Sequence, residues 1–217
     1  MNRFLAIVLL LCAGIAAAAQ SSAPPNTADP FRNTSMLKPP AGAKVAVFEF
    51  EDLECPACAF AYPIVHAAVD RYKIAFVRHD FPLMQHIWSF DAAVTARYLQ
   101  DKVSPKVADD FRGDVFAHQT NIASKDDLAS YTQAWFKAHG QSLPAVMDPI
   151  GLFKQEVSSD RTLGERIGVI RTPTIIVVTQ QRWVQVTNVS LLGQTIEEAL
   201  AETGAPVAGG SNKSEGR

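Results

Sequence analysis

Cys55-Pro56-Ala57-Cys58 combines two thiols at a spacing that a helix can use. The segment follows a strand-like run and opens a helix-like one, which is the context that gives C-x-x-C chemical meaning. Cys55 falls at the N-cap, Pro56 at the first helical position and Cys58 one turn further on. Unpaired amides of that first turn face the Cys55 sulfur and favour a thiolate. Pro56 donates no hydrogen bond but stiffens the turn by fixing φ. At this spacing the sulfurs reach disulfide distance without unwinding the helix. The chemistry this allows is thiol–disulfide exchange, with a mixed disulfide at Cys55 that Cys58 resolves. A structural disulfide, a pair of inert buried thiols and part of a metal site are the alternatives. A closed zinc site wants four ligands. His79 and His86 are the nearest histidines, and neither a second C-x-x-C nor an H-x3-H pair joins them. His66, His118 and His139 fall in helical stretches and read as surface or core residues, so no metal is expected.

Two other features accompany the cysteines. Thr172-Pro173-Thr174 stands directly before a β-branched run; proline at a strand edge marks a turn or a cis bond. Glu49, Glu51, Asp52 and Glu54 crowd the approach to Cys55. Glu49 lies between Phe48 and Phe50, so a buried carboxylate with a raised pKa is expected, able to relay the proton of Cys58. Glu51, Asp52 and Glu54 read as a solvated loop whose negative charge would raise the Cys55 pKa and make the pair less oxidising. Ala57 adds neither charge nor hydrogen bond.

The elements that must position these groups follow from periodicity. KVAVFEF (44–50) and IAFVR (74–78) read as strands around a helix over 56–72. Helical signals fill 85–168: an amphipathic run over 88–100, a Ser104-Pro105 helix start, a Ser124/Asp127 cap with Gly140 as stop, a segment ending near Ser158 and a short helix over 160–168. Strands return at 174–178 and 183–186, and Thr195 with Glu198 forms a capping box for a last helix. The order is β-α-β, a helical block, then β-β-α. Flanks this small need each other, which makes one mixed α/β sheet flanked by helices with an inserted all-helical domain. The expected division is 44–84 with 168–203 as the sheet domain and 85–167 as the insertion.

The ends read differently. Residues 1–19 have Arg3, an apolar run from Phe4 and a small-residue stretch closing at Ala19, the marks of a secretory signal cleaved after Ala19. An uncleaved anchor and a lipid on Cys12 are the alternatives; the apolar run is shorter than the ~20 residues of a span. Cleavage removes Cys12 and leaves Cys55 and Cys58 as the mature cysteines, in a compartment where thiols oxidise. Residues 20–43, with five prolines, read as a linker or extended arm, and 204–217 as a frayed tail. Across the 217 residues, 20 Lys+Arg against 22 Asp+Glu argue against non-specific nucleic-acid binding, and 47% hydrophobic residues against a disordered chain.

The segments VAVFEFEDLECPAC (45–58), RHDFPL (78–83) and GVIRTPT (168–174) resemble the DsbA-like thiol:disulfide oxidoreductases of the thioredoxin superfamily. The resemblance spans about 42–203, and the helical insertion before the TP element is that branch's architectural mark. It implies a thioredoxin-like fold, with Cys55 as exposed nucleophile and Cys58 as buried resolving thiol. It also implies a cis-Pro173 facing the disulfide, a Thr172 backbone that pairs with substrate, Glu49 as the buried acid and Pro63 as a helix-kink proline. Pro56 and Ala57 would then border bound substrate. Strongly oxidising members carry His where this chain has Ala57, which leaves a milder oxidase, a reductase or an isomerase open. Family isomerases dimerise through an extra N-terminal domain for which 20–43 is too short. The resemblance therefore implies a monomeric oxidase of exported polypeptides, periplasmic or secreted. It would need no cofactor beyond its own disulfide, and a membrane disulfide-generating or reducing protein would be its redox partner.

Overall fold

The computed structural model describes residues 21–23 and 36–205. The signal segment, Cys12, residues 24–35 of the arm and the tail beyond Ala205 lie outside the described residues. Five strands form one sheet: β1 (Ser21–Ala23), β2 (Val45–Glu51), β3 (Ala75–Asp80), β4 (Thr174–Thr179) and β5 (Trp183–Val186). Their spatial order is β1-β5-β4-β2-β3. β2 and β3 are parallel, and β4 runs antiparallel to both β2 and β5. β2 is buried at all seven positions, as a central strand covered on both faces should be.

α1 (Pro56–Tyr72) is the crossover that joins the parallel pair β2 and β3. With α6 (Leu192–Glu202) it covers one face of the sheet, where Val45, Val47, Ile175, Val177, Leu192 and Ile196 pack together. The other face buries Phe48, Phe50, Ile176, Trp183 and Phe81 against Ile167. Between β3 and β4 come α2 (Ser89–Lys102), α3 (Pro105–His118), α4 (Lys125–Ala138) and α5 (Leu152–Ile167). Their core of Trp88, Leu99, Phe111, Trp135 and Phe136 continues without a break into Leu53, Cys55 and Cys58. Burying such large side chains contributes roughly 2–3 kcal/mol each, so the cysteine turn is anchored to the helical segment as well as to the sheet.

The segment expected as a linker or extended arm contributes to the folded body in two places. Ser21–Ala23 adds an edge strand beside β5, and Leu37 is fully buried against the sheet. Residues 152–167 form one helix where a break near Ser158 was expected. Ser158 and Thr162 bond back to the carbonyls of Lys154 and Ser158, so their hydroxyls are satisfied inside the helix. Thr195 is no cap either. α6 begins at Leu192, one turn earlier, out of a short 3-10 turn opened by Asn188, and Thr195 Oγ1 bonds to the Leu191 carbonyl. The Ser104 and Ser124 caps stand where expected, each accepting the amide three residues on. Among the described residues no helix is long and apolar enough to cross a membrane.

Candidate active site

Strand β2 ends at Glu51, and four residues later the chain reaches Cys55 at the head of α1. Cys55 is the N-cap, in extended backbone, and Pro56 the first helical residue. The Cys55 carbonyl accepts the first helical bonds from Cys58 (3.0 Å) and Ala59 (3.1 Å). Both cysteines are buried, Cys58 at 1% exposed and Cys55 at 7%, so Cys55 is not the exposed sulfur that the resemblance implied: the helical segment and the Thr172–Pro173 turn close over it. Both are free thiols. Cys55 lies 3.4 Å, Sγ to O, from the carbonyl of Thr172, which precedes Pro173 in a cis peptide. Elements more than a hundred residues apart in sequence thus meet at one sulfur.

The Cys55 thiol is pulled down to about 5. The hydrogen bond from Cys58 is the strongest cause and outweighs the burial that opposes it; the Thr172 hydroxyl and the amides of Cys58 and Ala57 add to it. That hydroxyl is buried and lies within hydrogen-bonding distance of no partner atom among the described residues. Burial, first of all, pushes Cys58 well up, and the neighbouring Cys55 thiolate and Glu49 add to the rise. The Asp52 amide, 3.4 Å from Cys58 Sγ, works the other way. The pair is therefore one sulfur held towards the anionic form and one held protonated, the division of labour that exchange requires.

The acidic run is not a solvated loop. Glu51 and Asp52 are each 1% exposed, and each acid has a structural partner. Asp52 Oδ1 accepts the Glu54 amide at 2.7 Å, while its Oδ2 accepts the Leu83 amide and meets His86 Nδ1, both at 2.7 Å. Glu54 Oε2 accepts the amides of Trp88 (2.7 Å) and Ser89 (3.0 Å), closing the N-terminus of α2. Glu51 is paired with Arg112 and Arg78. None of the three is a leading influence on Cys55, whose thiol is lowered rather than raised. Their charge is spent on cations and helix amides before it reaches the sulfur.

Glu49 is buried, as its apolar neighbours demanded. Its carboxyl is raised to about 8 by burial, with the Glu51 charge adding and Arg78 and Arg112 opposing. The histidines have other duties: His79 Nδ1 sits 2.8 Å from Asp160, and His66 lies between Arg78 and Asp109. Among the described residues no three His, Cys, Asp or Glu side chains are grouped to hold a metal ion. Pro63 lies inside α1.

Two contributors were invisible in the sequence. Gln119, in the turn after α3, donates through Nε2 to the carbonyls of Leu53 (2.7 Å) and Cys55 (3.1 Å), fixing the turn that carries Cys55. Arg112 reaches the same region from within α3. Polar residues on a helix carry no local mark of a partner sixty residues away. Beside Cys55, a groove of about 260 Å3 is lined by Ala57, Phe60, Arg171, Thr172, Pro173 and Gln185. Phe60 is 69% exposed there, an apolar ring presented to solvent.

Comparison with known proteins agrees with this geometry. The sequence profile of the thioredoxin family matches residues 35–196. No curated protein sequence matches the chain significantly. Among solved structures, BdbD from Bacillus subtilis superposes with a TM-score of 0.59 at 22% identity, covering 74% of this chain and 90% of its own. The thiol-disulfide exchange protein alpha-DsbA2 from Wolbachia pipientis gives 0.59 at 19%, covering 74% and 84%. DsbA2 from Pseudomonas aeruginosa gives 0.56 at 19%, covering 74% and 91%. With its mixed sheet, its C-x-x-C at the head of the first helix and a profile match over most of its length, this chain belongs to the thioredoxin family.

Proposed function

We propose that the protein is an exported thiol:disulfide oxidoreductase that oxidises cysteines of exported polypeptides through a Cys55–Cys58 disulfide. The observation that carries this reading is the contrast between the two sulfurs, Cys55 lowered to about 5 and Cys58 raised. A low-pKa nucleophile is a good leaving group, and stabilising its thiolate stabilises the reduced form, which makes the disulfide oxidising.

The steps balance as follows. A substrate thiolate attacks Cys55 Sγ, the Cys55–Cys58 bond breaks, and Cys58 leaves as a thiolate that takes up a proton, with Glu49 as its source. A second substrate thiolate attacks the substrate sulfur of the mixed disulfide and expels Cys55 as a stable thiolate. The substrate is oxidised by two electrons and the enzyme reduced by two. Cys55, Cys58 and Glu49 are the catalytic residues of this scheme. Ala57, Thr172 and Pro173 border the substrate, with the exposed Phe60 giving the groove its apolar wall, and Pro56, exposed at the head of α1, flanks it from outside the groove. The backbone at Thr172 pairs with an extended substrate peptide.

The reading includes a periplasmic or secreted location after cleavage at Ala19, and a monomer that needs no bound cofactor. Residues 85–167 serve as an inserted helical domain beside the sheet domain of 44–84 and 168–203. A membrane protein returns the enzyme to its disulfide form. Its test is oxidative refolding of reduced ribonuclease by the oxidised protein. The wild type should accelerate refolding and Cys55→Ser should not; equal rates overturn the proposal.

A further inference from the structure

Under the C-x-x-C helix lies an ion cluster that thiol–disulfide exchange does not by itself require. Glu49 and Glu51 alternate on β2, so both face the side that Val45 and Val47 bury. On β3, Arg78 is the register partner of Glu49, and Asp80 that of Glu51. α3 lays Arg112, which is fully buried, across them. Its Nη1 donates to Glu51 Oε1 at 2.7 Å and to Asp80 Oδ1 at 2.6 Å, and its Nη2 to Asp80 Oδ2 at 3.1 Å. Arg78 Nε lies 3.1 Å from Glu51 Oε1, while its Nη2 donates to Asp109 Oδ1 at 2.8 Å and meets His66 at 2.9 Å. Arg97 of α2 bridges Asp80 and Asp160.

The charge count decides who is left over. Arg112 is matched by Glu51 and Asp80, Arg78 by Glu51 and Asp109, and Arg97 by Asp80 and Asp160. Among the described residues no cation pairs directly with Glu49, and its Oε2 is buried with no hydrogen-bond partner. A buried carboxyl without a counter-ion keeps its proton. The groups that face it are Glu51 from its own strand, Arg78 from β3, Arg112 from α3 and Cys58 from α1; its register partner on β4 is the apolar Ile175.

We infer that Glu51 and Asp80 are positioning residues for proton transfer at Cys58: by holding Arg112 and Arg78 in their own ion cluster they deny Glu49 a counter-ion and so keep a proton on it beside the resolving thiol. The inference rests on the exchange reaction proposed above. In the resolving step the Cys58 proton passes to the Glu49 carboxylate, Cys58 attacks Cys55 Sγ of the mixed disulfide, and the departing thiolate leaves with the electron pair of the broken bond. The number of Glu49 carboxylates available at a given pH is set by the cluster, not by Glu49 alone.

Ellman's reagent, an aromatic disulfide, tests this. Reduced protein should release one aromatic thiolate as Cys55 forms the mixed disulfide, and a second as Cys58 displaces it. The rate of the second release is followed in stopped flow against pH. The wild type should accelerate around the Glu49 value of about 8. Glu51→Gln removes the neighbouring negative charge and frees Arg78, so its profile should move at least one unit to lower pH, at least about fivefold faster at neutrality. Glu49→Gln should lose the inflection, and adding Glu51→Gln to it should change nothing further. A Glu51→Gln profile that overlays the wild type, or an equal shift in the Glu49→Gln background, overturns the inference. Asp80→Asn, which frees Arg112 from its other side, should shift the profile in the same direction and serves if Glu51→Gln does not fold; no shift there overturns it equally. A wild type that releases one equivalent only would overturn the exchange reading itself, whereas two equivalents with unmoved variants overturn this inference alone.

Discussion

Replacing Cys58 by alanine removes the strongest influence on the Cys55 thiol, and its consequence follows from the geometry. The folded value of about 5 stands against 9.0 for an unperturbed cysteine. The folded value is depressed, so the thiolate contributes stability that is complete above the unfolded value and is lost as pH falls through 5. At neutral pH about half of that depression counts, and after allowance for screening it is worth about 2 kcal/mol. The stabilisation belongs to the reduced form alone, because a disulfide has no thiolate. It raises the reduction potential by about 40 mV over an unperturbed pair. The thiolate absorbs in the ultraviolet, so reduced protein can be titrated directly. The wild type should show a midpoint near 5, and Cys58→Ala one at least a unit higher. Denaturant unfolding of the reduced form should gain stability relative to the oxidised form between pH 5 and 7. A wild-type midpoint in the ordinary cysteine range, or a Cys58→Ala titration that superposes on it, would refute the reasoning.

Two further outcomes concern the support of the site. Glu54→Ala unpairs the Trp88 and Ser89 amides at the head of α2 and should cost about 1–2 kcal/mol in urea unfolding; Glu54→Gln, which keeps an acceptor, should recover part of it. Gly164→Ala should reverse the usual benefit of alanine in a helix. Its Cβ would lie 2.5 Å from the Phe81 ring, which packs edge-on against Phe50, and thermal unfolding should show a loss of about 1–3 kcal/mol.

The local chemistry of the site is written in short stretches of sequence. Two cysteines and a proline at helical spacing place one sulfur where unpaired amides converge, and period-two runs of branched residues name the strands. Caps at Ser104 and Ser124 depend on residues three apart, so they too are legible. What a segment does with a charge is different, because a carboxylate looks the same in sequence whether water or a buried guanidinium faces it. Glu51, Asp52 and Glu54 therefore read as a loop in solvent, yet they fasten α2, α3 and the loop after β3 to the cysteine turn. Arg112 and Gln119 carry no local signal at all, and Thr195 fits a capping motif that the chain passes one turn inside its helix. Only the packing of the helices between β3 and β4 against the sheet decides these roles. Ion pairing and burial depend on distances across the fold, which residue order along the chain does not encode position by position.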